Sequence, residues 1–408
     1  AGATIAVVDA QGRGSPEPVA LASHPAGDGD ESPSAVSEES HGAESGPAAD
    51  GHENGRDDAG SVAQPDENGA SEDDAEREKR LRESQESLEE VLMRVLHEDL
   101  PGMNPAQVRA LHWHMSHLEY SLNSDLDEVC NDGWDQDDDF AFPGEHCMVS
   151  DGGLASVATG LATGLDVHLE KPVRRVSYME DRVSVEVAGG RVFTGDACLV
   201  TVPLGVLKKN KIAFSPELPA AKREAIERLG FGVLDKVVLE FETCFWDHAF
   251  PVIGHMSVEP GEHYMFVNLV RSTGRPILAS LISGRCAERM ERCSDGEVVE
   301  GCMVALRSVY RLRPVPNPVA SVVTRWRQDP LAGGSYSFIR AGSTPSDIQA
   351  LAAPEAGGLL GFAGEATTTT HLASAHGAVL TGRREAQRLA RLVSSSWPKA
   401  PPSQAPVT

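Results

Sequence analysis

The chain has 408 residues, 40% of them hydrophobic, and a formal net charge of −25. That length supports two or three domains with a sizeable core, and that charge argues against a nucleic-acid binder held by phosphate contacts. Seven scattered cysteines, an odd count without a CxxC pair, point to reduced intracellular thiols and away from a disulfide framework or a zinc site; no apolar run approaches the roughly 18 residues of a membrane helix.

Ala3 to Ala10 reads as a short buried strand ending in an acid, Asp9. The residues from Gly12 to Asp74 are rich in Gly, Ser, Pro, Glu and Asp. Such a stretch cannot offset its ordering entropy, and disorder is expected there. Ala75 to Glu98 carries Leu81, Leu88, Val91, Leu92 and Val95 at helical spacing. It is either an amphipathic helix packed on the body or a helix for a partner. Asn104-Pro105 supplies an N-cap and a first-turn proline for a second helix.

From about Val149 the pattern turns to mixed α and β. "VHLEKPVRRVSYMEDRVSVEVAGGRVFTGDACLVTVPLGVL" gives successive strands with a turn at Gly189-Gly190. Helices are expected near Ala220–Leu229 and Glu297–Arg311. Further strands are expected in "DKVVLEFE", "HYMFVNLV", "PILASLIS" and "ASVVTRW". A last strand, Leu359–Ala363, runs through Gly364-Glu365 into a final helix from about Ala373 to Val393. Strands dispersed among helices, with both chain ends contributing to one half, predict an α/β, two-domain fold: a discontinuous domain plus a sheet-rich second domain.

Four places carry candidate chemistry. At the last helix, free N–H groups and small residues (Ala373, Ser374, Ala375, Gly377) suit a flat or anionic ligand against the backbone. Glu365 either accepts hydrogen bonds from a cofactor hydroxyl or sits in a tight strand-to-helix crossover. Asp9 is either a ribose-binding acid or a turn residue. "WDQDDDFAF", Trp134 to Phe142, is a solvated acidic loop, a weak metal loop or an acidic rim for a basic peptide or polyamine. Lys236 heads an apolar strand. It either snorkels to water or, if buried, has a lowered pKa and holds a water or acts as a base.

Taken in order, "LHWHMSHLEY", "WDQDDDFAFPGEH", "CLVTVPLGVLK", "LGFGVLDKVVLEFETCFWD", "RWRQDPLAGGSYSF" and "FAGEATTTTHLASAHGAVLTGRREAQRLA" resemble the flavin-dependent amine oxidases. The likeness is closest to the histone-demethylase branch. It spans about Asn104 to Val393 plus the first strand.

The resemblance implies FAD, with Asp9, Val173, Pro203, Gly364, Glu365, Ser374 and Ala375 as cofactor-binding positions. It implies Lys236, Trp326 and Tyr336 as catalytic positions, the lysine holding a water near the flavin. It places Trp134, Asp135, Asp137, Asp138, His146 and His371 around a basic histone tail. It also implies oxidative demethylation of mono- or dimethyl-lysine with release of formaldehyde and hydrogen peroxide, a nuclear location and a chromatin co-repressor partner. Polyamine oxidation and an inactive basic-peptide binder are the alternatives.

The implied domains are 1–11, a remnant of the FAD-binding domain; 12–74, acidic and disordered; and 75–148, helical and part of the substrate domain. They continue with 149–210 for FAD, 211–345 for substrate, 346–395 for FAD again, and a tail at 396–408. The GxGxxG turn of the family is not in the sequence, so the chain is expected to be truncated before its first strand. Leu331 stands where the family has a tryptophan, and His371 where a tyrosine is common.

Overall fold

The computed structural model describes residues 5–8, 85–134, 153–179, 181–257 and 260–396. All of them belong to one compact unit. Asp9, the acidic stretch at 12–74, Asp135, Asp137, Asp138, His146 and the tail after 396 lie outside the described residues.

The elements begin with β1 (Ile5–Val8) and α1 (Leu88–Leu96). Residues 75–84 of the helix expected from Ala75 lie outside the described residues; α1 itself starts at Leu88, where Ser87 and Glu90 close a reciprocal capping box. Helix α2 (Pro105–Leu122) starts where Asn104 caps the amides of Ala106 and Gln107. Next come α3 (Gly153–Leu161), β2 (Val173–Tyr178), β3 (Val183–Val187), β4 (Val192–Gly195) and β5 (Ala197–Val200). Gly189 and Gly190 both take positive φ in the β3–β4 turn. Then follow α4 (Leu204–Lys208), β6 (Ala213–Ser215), α5 (Ala220–Arg228), β7 (Gly230–Phe231), β8 (Leu234–Glu240), β9 (Val252–Gly254), β10 (Met265–Asn268) and α6 (Val270–Thr273). The series ends with β11 (Ile277–Ser283), α7 (Gly284–Met290), α8 (Asp295–Val309), β12 (Ala320–Val323), β13 (Ser337–Phe338), α9 (Pro345–Ala352), β14 (Leu360–Phe362) and α10 (Ala375–Ser396).

Two large apolar cores organise these elements. In the first, β5 lies between β1 and β14, and β2, β3, β4 and β6 form a second sheet in the order β4-β3-β2-β6. Its buried residues include Val176, Val185, Val200, Leu204, Ile226, Leu360 and Phe362. Helix α5 packs on α9, and Leu218, Ile226, Leu229 and Phe231 all belong to this core. Core membership therefore continues past the domain boundary expected at residue 210. Strand β14 runs parallel to β5, whereas β1 runs antiparallel to it. An antiparallel β1 is not the parallel second strand of a dinucleotide-binding unit.

The second core lies against the antiparallel sheet β12-β8-β11-β10-β9. Every residue of β11 is buried, so this strand reads as a continuous apolar run with no alternation. Helices α7 and α8 cover the sheet, with Ala287, Val298, Cys302 and Leu306 buried among Val237, Leu239, Phe266 and Leu278. A sheet-rich second half is what the dispersed strands predict; its sheet is antiparallel throughout and not mixed. Strands β7 and β13 connect the two cores: Ser337 pairs with Phe231 of the first core, and β8 of the second begins three residues later.

Candidate functional site

The two parallel strands β5 and β14 end side by side, held by the amide of Ala363 on the carbonyl of Val200. Ligands of open α/β sheets bind beyond such carboxyl ends. Pro203 follows β5 as the N-cap of α4, and Gly364-Glu365 follows β14. Gly364 adopts φ 134°, ψ 170°, a region open essentially to glycine alone. Its amide bonds Thr381 Oγ1, and its carbonyl accepts from Thr367 and Thr381. Nothing lies within 4 Å of the place a Cβ would occupy, so a ligand has open room against this backbone.

Glu365 turns inward. Its Oε2 accepts the Ser337 hydroxyl at 2.5 Å, the Ser337 amide at 3.3 Å and the Ala373 amide at 3.0 Å. Burial raises its pKa, and the hydrogen bonds from Ser337 and Ala373 act against that rise. Ala373 holds a left-handed φ of 62°, which turns the chain into α10. Ser374 caps that helix: its hydroxyl donates to the His371 carbonyl and accepts the Gly377 amide. Ala375 is exposed at the first turn, and His371 is half-buried with its ring 4.9 Å from that of His376.

Tyr336 sits beside Ser337. Its hydroxyl donates toward the carbonyls of Tyr120 and Ser121 at the end of α2, and its ring joins Trp113, Tyr120 and Tyr264 around a small third core. Burial pushes the Tyr336 phenol above its ordinary value. On either side of Tyr336 the chain binds the start of β8: Gly232 donates to the Tyr336 carbonyl, and Leu234 donates to Ser335 Oγ. Lys236 lies two residues further along β8. Its amide donates to Thr324 Oγ1 and its carbonyl accepts the Thr324 amide. Among the described residues its Nζ makes no hydrogen bond or ion pair. The side chain is exposed in surface area, yet burial around its ammonium lowers its pKa; Asp235, when ionised, acts in the opposite sense. These two facts agree if Nζ reaches into a recess walled by protein. Trp326 is half-buried, and its amide donates to Asp235 Oδ1 at 3.1 Å.

One hydrogen-bonded path therefore runs from Glu365 through Ser337, Tyr336 and Ser335 to the strand of Lys236 and on to Trp326. Pro203, Gly364, Glu365, His371, Ser374 and Ala375 gather at the strand ends. Val173 lies apart in β2, where it packs on the edge of the first core. Trp134 is half-buried at the last described position before 135. Three supports escape a reading of the sequence: Ser337, Asp235 and Thr381. The Ser-Tyr-Ser alternation at 335–337 does put two serines on one face and the tyrosine on the other, which is the one signal that could have found Ser337.

This geometry defines an α/β protein with open room at Gly364 beyond two parallel strands and an antiparallel-sheet second half. Residues 48–390 match the family described as flavin containing amine oxidoreductase, and the chain belongs to that family. FAD is the cofactor this membership implies. The chain is 42% identical over 306 residues to a protein of Arabidopsis thaliana named "Lysine-specific histone demethylase 1 homolog 3", covering 72% of this chain and 19% of that protein. It is 41% identical over 284 residues to "Lysine-specific histone demethylase 1 homolog 2" of Oryza sativa subsp. japonica, covering 68% and 37%. Against "Histone demethylase-like protein A" of Aspergillus fumigatus the identity is 38%, covering 70% and 28%. The chain thus spans well under half the length of these curated relatives. Among solved structures, wild-type putrescine oxidase bound to putrescine aligns with a TM-score of 0.51 at 22% identity, covering 59% of this chain and 53% of that one. A double mutant of the same oxidase aligns at 0.52. These alignments show the amine oxidase fold.

The residues present fit the part of a flavin that lies beyond β14. Gly364 leaves open room, Glu365 offers a half-buried acceptor, and small side chains open α10.

Proposed function

We propose that this chain carries out FAD-dependent oxidative demethylation of mono- or dimethyl-lysine in basic histone tails. The observation that supports it is the hydrogen-bonded path that joins Glu365 to the strand of Lys236 through Tyr336. When bound, FAD accepts a hydride equivalent from the α-carbon of the amine. Gly364, Glu365, Pro203, Ser374 and Ala375 would hold the cofactor against the strand ends, with Val173 contributing from β2. Tyr336 presents its ring to the amine, and Trp326 flanks it. Lys236, kept below the ordinary lysine pKa by burial, holds a water and takes up its proton. The amine must keep a lone pair, which trimethyl-lysine lacks. Trp134, Asp135, Asp137, Asp138, His146 and His371 receive the basic tail. A nuclear location and a chromatin co-repressor go with that substrate.

The test is peroxide release with a dimethylated histone peptide against spermine. Faster turnover of the peptide is expected. Equal or faster turnover of spermine overturns the demethylase reading and leaves polyamine oxidation, which the likeness to putrescine oxidase with putrescine bound favours. A purified chain without flavin absorbance that still binds the peptide identifies a basic-peptide binder instead.

A further inference from the structure

Asp235 is fully buried in β8, directly before Lys236. Its Oδ1 accepts the Thr324 hydroxyl at 2.7 Å and the Trp326 amide at 3.1 Å. Its Oδ2 is buried and finds no N–H or O–H of the protein to accept from. What faces it is a second carboxyl, Glu291, at the end of α7. Glu291 is also buried, but both of its oxygens are provided for: Oε1 accepts the Arg327 amide at 2.7 Å and Oε2 the Gln328 amide at 3.0 Å.

Two ionised carboxylates cannot share a site of low dielectric without a proton between them. The donors decide where that proton sits. Glu291 is built as the acceptor, and Asp235 Oδ2, which meets no protein donor, is the oxygen that carries the proton. Burial first, and then Glu291, push Asp235 above the ordinary carboxylate range, against the hydrogen bonds from Thr324 and Trp326. The charged groups around the pair are few. Lys236 comes from the same strand, and Lys209, just after α4, donates to the Arg327 carbonyl and attracts Glu291. Arg325 and Arg327 come from the segment after β12, Arg325 bonding the Glu291 carbonyl and Arg327 reaching Glu288 on α7. Neither guanidinium bonds Asp235.

We propose that Asp235 and Glu291 form a proton-sharing carboxyl pair that positions Lys236 and Trp326 and withholds negative charge from the ammonium of Lys236. Thr324 links the parts: one hydroxyl donates to Asp235 and accepts the Lys236 amide. The proton on Oδ2 keeps Asp235 neutral, so burial of Lys236 acts without a counter-charge and favours the free amine. The pair acts through Lys236 and is a positioning device, and its functional meaning rests on the proposed amine-oxidase role of that lysine.

The experiment is acylation of the folded chain by acetic anhydride across pH, with Lys236 read by mass spectrometry. Glu291→Gln removes the neighbouring charge, so Asp235 ionises at lower pH beside Lys236 and raises its pKa. Labelling of Lys236 should then slow, by about tenfold at fixed pH for each unit of rise. Asp235→Asn keeps the two donors paired and is neutral at every pH, so labelling should equal the wild-type rate or exceed it. Shifts in the same direction, or none in either variant, overturn the proposal. A second measurement covers a variant that fails to fold. The infrared spectrum of the wild-type chain at pH 6 should contain a buried carboxylic-acid carbonyl band that is missing from folded Asp235→Asn or Glu291→Gln. Identical band intensity in wild type and variants overturns it as well. Neither readout needs flavin or turnover, so loss of the amine-oxidase reading leaves the result interpretable.

Discussion

Two single residues carry separable consequences. Lys236 has no hydrogen bond at Nζ among the described residues, so Lys236→Met should change stability by no more than about 0.5 kcal/mol. If it holds the reacting water, flavin reduction by an amine substrate should slow while the yellow cofactor stays bound. Rapid mixing of the loaded chain with substrate checks this, and an unchanged reduction rate removes Lys236 from the mechanism. Gly364 is the opposite case. Its φ of 134° is fixed from both sides by Thr381 and Thr367, so the backbone cannot relax around a new side chain. Gly364→Ala should cost about 1–3 kcal/mol, and the added methyl enters the space left for a ligand. Urea denaturation with flavin absorbance on the same sample reads both effects. The positions of Lys236 and Glu365, at the head of one apolar strand and just past the end of another, were legible in the sequence. Asp235 was not, since its meaning comes from Glu291, which is remote in sequence and meets it only when α7 packs across β8.

At the scale of elements, local signals set what could be read. Asn104-Pro105 announces α2, and alternation announces β2 and β3, whose buried residues fall on one face. Helix α9 escaped notice although Thr344 and Asp347 form a capping box around Pro345, because eight residues give too short an apolar stripe. That helix has an unusual anchor. Lys222, buried on α5, donates to the carbonyls of Ala350, Leu351 and Ala353 at 2.8, 2.8 and 2.6 Å. It also lies 3.4 Å from Glu355 and 4.1 Å over the ring of Phe362 in β14. One ammonium thus satisfies the free carbonyls ending α9 and ties α5, α9 and β14 together. Lys222→Met keeps the length of the stem but leaves three carbonyls and a carboxylate unpaired. The expected loss is about 3–5 kcal/mol, read as a lower denaturant midpoint at constant slope. A midpoint within error of wild type would mean that water replaces the ammonium without loss.

For the whole molecule, the sequence resolved the two-domain α/β class because amphipathic patterns report which faces need burial. It left core membership open, because α5 could pack on either half until its contact with α9 is seen. Buried ionisable groups are likewise invisible before packing, and together they set the alkaline response. Burial lowers Lys208 and Lys222 to about 8. Between pH 8 and their ordinary 10.5 the unfolded chain binds protons that the native chain has released, so these two groups add stability as pH rises. Burial also raises Cys198 and Cys302 to about 12 and Cys286 to about 11, from an ordinary 9. These thiols stay protonated in the native chain while the unfolded chain ionises, so their contribution is present below pH 9 and is lost above it. Tyr264 and Tyr336, both raised by burial, join them above pH 10. Burial also lowers Lys209 and Lys236 and raises Cys130, Cys244, Tyr178 and Tyr310. Among the described residues five thiols and four phenols thus oppose four amines, and each uncompensated proton is worth about 1.4 kcal/mol per pH unit. Stability should therefore peak near pH 9 and fall steeply by pH 11, with a shallower fall in Cys198→Ala. Chemical denaturation at stepped pH under reducing conditions measures it, and a midpoint still rising beyond pH 10 would show that the lysines dominate and the thiols titrate as if exposed.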